Sequence, residues 1–279
     1  MRIPPKIGFM QGRLSPIING RIQAFPFGSW QKEFEIASMN GFDLIEWTID
    51  SVKFLENPLM SLDGRSKILE LCRQHVIRIP SVTCDYFMEN PPWLIDSNAL
   101  KQNIVEILAG MNKIGAKLLI IPLVDNASLK ESRRLKETRL FFESIVRHLQ
   151  ISGIRVAFET DLDPKHFAEF IRDFDHRHFG INYDIGNSAS LNYDPEKEFK
   201  SYGERILNVH IKDRKIGGKT LPLGQGDADF LKVFRELRIN NYHGNLILQT
   251  ARAPDNNHVK CLVEFREFTE KFWKESVIE

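Results

Sequence analysis

Four polar residues each close an apolar run in the second half of the chain: Glu159 in IRVAFET, Asp184 in FGINYDIGN, His210 in RILNVHIKD and Gln249 in GNLILQT. Two carboxylates, an imidazole and an amide carbonyl are all donors to a cation. Oxygen ligands with one imidazole suit Mn²⁺, Mg²⁺ or Co²⁺. Zn²⁺ is accommodated by the same set, although it usually attracts more His or Cys. Any one of the four reads equally well as a solvated strand end or the cap of a following helix. Four at the ends of successive runs point to a shared metal site. Gln249 is the anomaly, because it puts a neutral amide where a metal site would be expected to place a carboxylate. Glu159 and Asp184 balance a divalent ion by themselves, so Gln249 leaves a neutral shell. Such a shell should hold the ion less tightly and leave it a stronger Lewis acid.

The elements that position these residues alternate. Strand-like runs at 6–13, 42–47, 77–84, 116–124, 154–160, 179–187, 205–213 and 244–250 are separated by amphipathic helix-like segments at 29–41, 61–75, 97–115, 128–153, 163–174, 194–204 and 227–241. A last helix is expected over 258–276. Ser29 is placed to cap the first helix and Gly41 to end it. Short apolar strands joined by crossover helices imply parallel pairing. Eight such units in 279 residues fit an α/β fold of the (β/α)8 type, one domain over 1–279. An open doubly wound sheet is the alternative, but no G-x-G-x-x-G follows the first strand.

In such a barrel the active site lies at the C-terminal strand ends. Besides the four donors, those ends carry Arg13, Glu46, Trp47, Asp85, Asn187, Lys212, Asp213 and Arg252, which are read as substrate-binding candidates. Arg13, Lys212, Arg214 and Arg252 could hold a phosphate or other anionic group or be solvated loop cations. Trp47, Phe9 and Tyr86 could stack on a bound ligand, or pack the barrel. The Gly-rich stretch 215–227 could close over a substrate or be a plain flexible loop.

Composition sets further bounds. A net charge of +1 argues against a nucleic-acid or membrane-surface partner recruited by bulk charge. Three cysteines with no C-x-x-C spacing suggest free thiols and a cytoplasmic setting. Neither a secretory h-region nor a run of roughly 20 apolar residues is visible. The outer helices leave room for a homo-oligomer, but no residue specifies one.

The chain resembles the xylose isomerase-like TIM barrels of the sugar phosphate isomerase/epimerase group. The resemblance rests on GFMQGRLSP, GFDLIEW, VAFET with Glu159, NYDIGN with Asp184, VHIKD with His210, and LPLGQGD. It implies a metal held by Glu159, Asp184, His210 and a fourth residue that is glutamate in the epimerase pattern and Gln249 here. Asn187 likewise stands where many members have histidine. The resemblance also implies a sugar or sugar phosphate as substrate. The implied chemistry is proton abstraction next to a carbonyl through a metal-stabilised enediolate, with Glu159 as base. The endonuclease branch, which needs a histidine-rich site, is disfavoured by Asn187 and by Asp227-Ala228-Asp229.

Gln249 cannot take a proton, so a symmetric two-glutamate epimerisation fails with these residues. Three readings survive. The enzyme needs one base, as an isomerase or a dehydratase of a keto-polyol does; Glu46, Asp85 or Lys212 supplies the second acid or base; or the barrel binds carbohydrate with little or no catalysis.

Overall fold

The computed structural model describes residues 4–277. The strands that form the barrel are β1 (Ile7–Met10), β2 (Ile45–Ile49), β3 (Ser81–Cys84), β4 (Leu118–Leu123), β5 (Arg155–Thr160), β6 (Phe179–Asp184), β7 (Ile206–Ile211) and, after a two-stranded ribbon of β8 (Asp213–Arg214) and β9 (Thr220–Leu221), β10 (Leu246–Leu248). The closed order is β1-β10-β7-β6-β5-β4-β3-β2, and the neighbouring strands pair in parallel. The expected (β/α)8 barrel is therefore the observed one.

Period-two alternation divides each strand between two environments. On β5 and β6, Phe158 and Phe179 stack on one another with ring centroids 5.7 Å apart, and Phe142 meets Phe158 edge-on at 4.8 Å. The alternate positions, Glu159, Asn182 and Asp184, carry the polar groups. Register then aligns the polar side: Asp184 lies opposite His210 across β6 and β7, and His210 lies opposite Ile247 across β7 and β10.

Helices α1 (Lys32–Met39), α2 (Leu62–His75), α3 (Tyr86–Glu89), α4 (Ser97–Ile114), α5 (Ser132–Ser144), α6 (Val146–Ser152), α7 (Pro164–Arg172), α8 (Ile185–Ser190), α9 (Pro195–Tyr202), α10 (Phe230–Ile239) and α11 (His258–Glu275) connect the strands. Where local capping is strong, the expected boundaries hold. Ser61 accepts from Gly64 N–H at the start of α2, and Asp96 opens α4, which Gly115 ends in the left-handed region.

Elsewhere tertiary packing moves them. Helix α1 starts at Lys32 and Ser29 does not cap it, because the Ser29 hydroxyl is turned to Ser15. Gly41 does follow the helix, at φ 75°, and a Cβ there would meet the Arg266 guanidinium. The long helix expected over 128–153 breaks at Ile145, so that Phe142, Ile145 and Leu149 all stay buried against the barrel. Strand β2 runs on to Ile49, which places Glu46 and Trp47 inside the strand and not at its end. The Gly-rich stretch after β7 is organised as the β8–β9 ribbon.

Candidate active site

The floor of the barrel mouth is a polar layer on β5, β6 and β7. Donor atoms of Glu159, Asp184 and His210 all lie within 4.8 Å of one another. The imidazole is fixed from both sides. Its Nε2 faces Glu46 Oε1 at 2.7 Å, and its Nδ1 faces Asn182 Nδ2 at 3.0 Å and Glu159 Oε2 at 3.3 Å. With Nε2–H donated to Glu46, an Nδ1 freed of its proton would present a lone pair beside Glu159. A carboxylate behind a metal-binding histidine is the arrangement that fixes the ligand's tautomer and raises its basicity. The donor set therefore fits a divalent ion: two carboxylates and one oriented imidazole, on rigid strand ends.

Burial opposes charge on His210, but Glu46 and Glu159 outweigh it and push the imidazole up to about 10, so a divalent ion bound at Nδ1 would displace the proton there. Burial alone would raise Glu46 and Glu159. The charge and hydrogen bonding of His210 dominate and hold both below the usual carboxylate value. Asp184 is raised by burial, which Lys212 offsets only in part. Each Glu159 oxygen accepts an amide N–H at 2.7 Å, Oε2 from Asn182 and Oε1 from Asn187.

Above this floor opens a cavity of about 310 Å³, lined in part by Arg13, Asp85, Glu159, Asn187, Lys212 and Gln249. Lys212 Nζ reaches Asp184 Oδ2 and Gln249 Oε1, both at 3.1 Å. Arg214 donates to Asn187 Oδ1 at 2.8 Å. Asn187 therefore links a cation on one side to Glu159 on the other.

The other four substrate-binding candidates, Glu46, Trp47, Asp213 and Arg252, do not line this cavity. Trp47 is fully buried, donates to Asn57 Oδ1 and packs on Phe25 and Trp30. It can stack on no sugar. Glu46 is fully buried beneath His210, because β2 continues past it, and it accepts from Ser81, Thr83 and Asn208 as well. Asp213 is buried and accepts three backbone N–H groups, from Gly224, Gly226 and Ala228, so it shapes the segment after the ribbon. Arg252 braces the loop after β1 through the carbonyls of Gly12 and Ser15. Glu33 holds the same loop through the N–H groups of Gly12 and Leu14, and burial pushes its carboxyl up to about 7.

Asn182 and Asn208 were missed as site residues, together with the hydroxyls of Ser81 and Thr83. Their signal was available: N-x-D on β6, N-x-H on β7 and S-x-T on β3 set polar residues two apart inside apolar strands, and period two puts them on one face. Glu198 was missed as well. It accepts from Tyr183, Ser188 and Tyr202 and ties α9 to the segment that carries Asp184 and Asn187.

A closed barrel with a carboxylate–imidazole group able to hold a metal, at the C-terminal mouth, defines a class of TIM-barrel proteins. The chain belongs to the xylose isomerase-like TIM barrel family, whose model matches residues 34–266. It is 24% identical over 253 residues to L-ribulose-5-phosphate 3-epimerase UlaE of Escherichia coli O8, covering 83% of this chain and 87% of that one. Among solved structures it is similar to a xylose isomerase domain protein from Planctomyces limnophilus, at TM-score 0.75 and 15% identity, covering 97% and 98% of the two chains. It is also similar to a D-tagatose 3-epimerase-like protein, at TM-score 0.72 and 18% identity over 98% and 100%. The crystal structure of the IOLI protein with a binding zinc atom matches at TM-score 0.75 and 14% identity, over 98% and 100%. Among the described residues no helix is long and apolar enough to cross a membrane.

Proposed function

We propose that this chain is a divalent-metal-dependent isomerase or epimerase of a sugar or sugar phosphate, acting by proton abstraction next to a carbonyl with Glu159 as base. The observation that carries this reading is the Glu159–Asp184–His210 group at the floor of the mouth cavity, in a family and among relatives that include sugar epimerases. Glu159, Asp184 and His210 would hold the ion, with the Gln249 amide oxygen as fourth donor. Bound there, a divalent ion supplies Lewis acidity for negative charge developing on a carbonyl oxygen.

Glu159 is ionised at neutral pH and lines the cavity, so it can accept a carbon-bound proton. The amides of Asn182 and Asn187 fix its two oxygens. Lys212, Arg214 and Arg13 bring positive charge to the same cavity, which suits a polyhydroxylated or phosphorylated ligand.

The test is exchange. Metal-supplemented protein in D₂O, offered L-ribulose 5-phosphate, D-tagatose and D-allulose, should place deuterium on the carbon next to the carbonyl of at least one, as followed by NMR. Binding of metal and sugar without any exchange would reduce the chain to a carbohydrate-binding barrel.

The fourth donor has its own prediction. Gln249→Glu adds a charge beside Asp184, where a pair of unit charges about 4 Å apart is worth ~4 kcal/mol at an effective dielectric near 20. Lys212, already bonded to Gln249 Oε1, will neutralise part of it. Divalent affinity, measured by competition with a chelating dye, is expected to rise by roughly tenfold or more, about 1.4 kcal/mol. An unchanged affinity would remove Gln249 from the shell.

A further inference from the structure

Aspartates stand at the N-cap of several helices, and nearly all of them work as caps. Asp96, Asp163, Asp184, Asp194 and Asp229 each accept a backbone N–H of their own first turn. Asp85, at the N-cap of α3, makes no such bond. No described residue donates a side-chain or backbone hydrogen bond to its carboxylate or pairs with it as an ion.

Asp85 follows β3 directly, between buried Cys84 and Tyr86, and it lines the mouth cavity with Arg13, Thr83, Met88 and Glu159. In the ring of eight strands, β3 stands diametrically across from β7, which carries His210. A half-buried carboxylate without a partner is costly for stability alone. That cost is common where a group must stay available for chemistry. Burial, and next the charges of Glu159 and Asp50, which outweigh the opposing effects of His210 and Arg13, push this carboxyl up to about 7. At neutral pH it is then present both as acid and as base, the condition under which proton transfer is most effective.

We propose that Asp85 is a catalytic acid/base acting on substrate oxygen while Glu159 acts on carbon. This rests on the reading of the site as a sugar isomerase and supplies the partner that Gln249 cannot be. In the first step the C–H bond next to the carbonyl breaks and its proton goes to Glu159. The electron pair forms the carbon–carbon double bond, and the carbonyl π pair takes the proton of Asp85, giving a neutral enediol. In the second step the Asp85 carboxylate removes the proton of the neighbouring hydroxyl, whose carbon becomes the new carbonyl. Glu159, which lines the open cavity and can exchange its proton with water, delivers a proton to the former carbonyl carbon. Protons and electrons balance, and no co-reactant is consumed. A carbonyl oxygen has two lone pairs, so a donor on the β3 side has one to approach.

The experiment compares wild type, Asp85→Asn and Asp85→Glu as full, metal-supplemented chains on the ketose that wild type turns over. Product formation by Asp85→Asn is expected to fall about 10²-fold or more, with metal stoichiometry and melting temperature no lower than in wild type, because the lost carboxylate bonds nothing. Asp85→Glu should restore part of the rate. Turnover of Asp85→Asn within about threefold of wild type overturns the proposal. So does loss of metal or a lowered melting temperature in both variants, which would make Asp85 a support of the fold. A wild type that exchanges no carbon-bound proton overturns the isomerase reading itself, and this proposal with it. An active wild type beside an equally active Asp85→Asn overturns this proposal alone.

Discussion

Glu159→Gln is expected to lower proton exchange and product formation by about 10³-fold or more, since a positioned general base is worth typically 10²–10⁴-fold and this one is also a proposed ligand. The substitution preserves shape but not hydrogen-bond polarity. Both Glu159 oxygens accept from amide N–H₂ groups, of Asn182 and Asn187, so the new amide must turn one donor against another. It also removes one of the two carboxylates that flank His210. Divalent affinity should therefore fall together with the rate. Rates of deuterium uptake at saturating metal separate the two effects. Exchange within about tenfold of wild type under those conditions would move the base to another residue.

The second large effect is expected at a residue outside the cavity. Glu46 is fully buried and accepts hydrogen bonds from His210, Ser81, Thr83 and Asn208. Glu46→Ala strands all four donors and leaves His210 without its nearest counter-charge. Breaking a buried ion pair from one side costs about 3–5 kcal/mol, to be read as a loss of unfolding free energy in urea. Loss of the carboxylate that orients a metal-binding histidine typically weakens the metal about 10–100-fold, so binding should suffer even in the folded fraction. Since Glu46 is held below the usual carboxylate value in the fold, its stabilisation is complete above that ordinary value. It disappears as pH falls through the depressed one. Glu46→Ala should accordingly be less acid-sensitive than wild type across that window. A loss below about 1 kcal/mol with unaltered metal binding would show that the network beneath His210 reorganises freely.

Much of this site could be seen in the sequence. The three donors were visible because each ends an apolar run, and strand ends at one face of a barrel are what bring such residues together. Asp85, Arg13, Asn187, Lys212 and Gln249 were found the same way, and all line the cavity. Trp47, Glu46, Asp213 and Arg252 were read with the same rule and placed differently. For Glu46 and Trp47 the cause was a boundary: WTI continues the strand, and a shift of two or three residues moves a side chain from the mouth to the interior. Asp213 and Arg252 are spent on backbone groups of neighbouring loops, and loop paths carry no periodic signal.

The alternation of strands and helices, and with it the barrel, is legible in local pattern. Hydrophobic periodicity and helix caps are local, and right-handed parallel crossovers leave few other ways to bury eight such strands. What stands behind the donors follows from the closed fold. His210 and Glu46 are 164 residues apart, on strands that are not neighbours in the barrel. Closure of the sheet brings them within hydrogen-bond distance. It also decided that Asp85, a helix cap by position, caps nothing. Both depend on where a side chain points inside a closed ring, and that orientation is fixed by strand register and packing across the whole barrel.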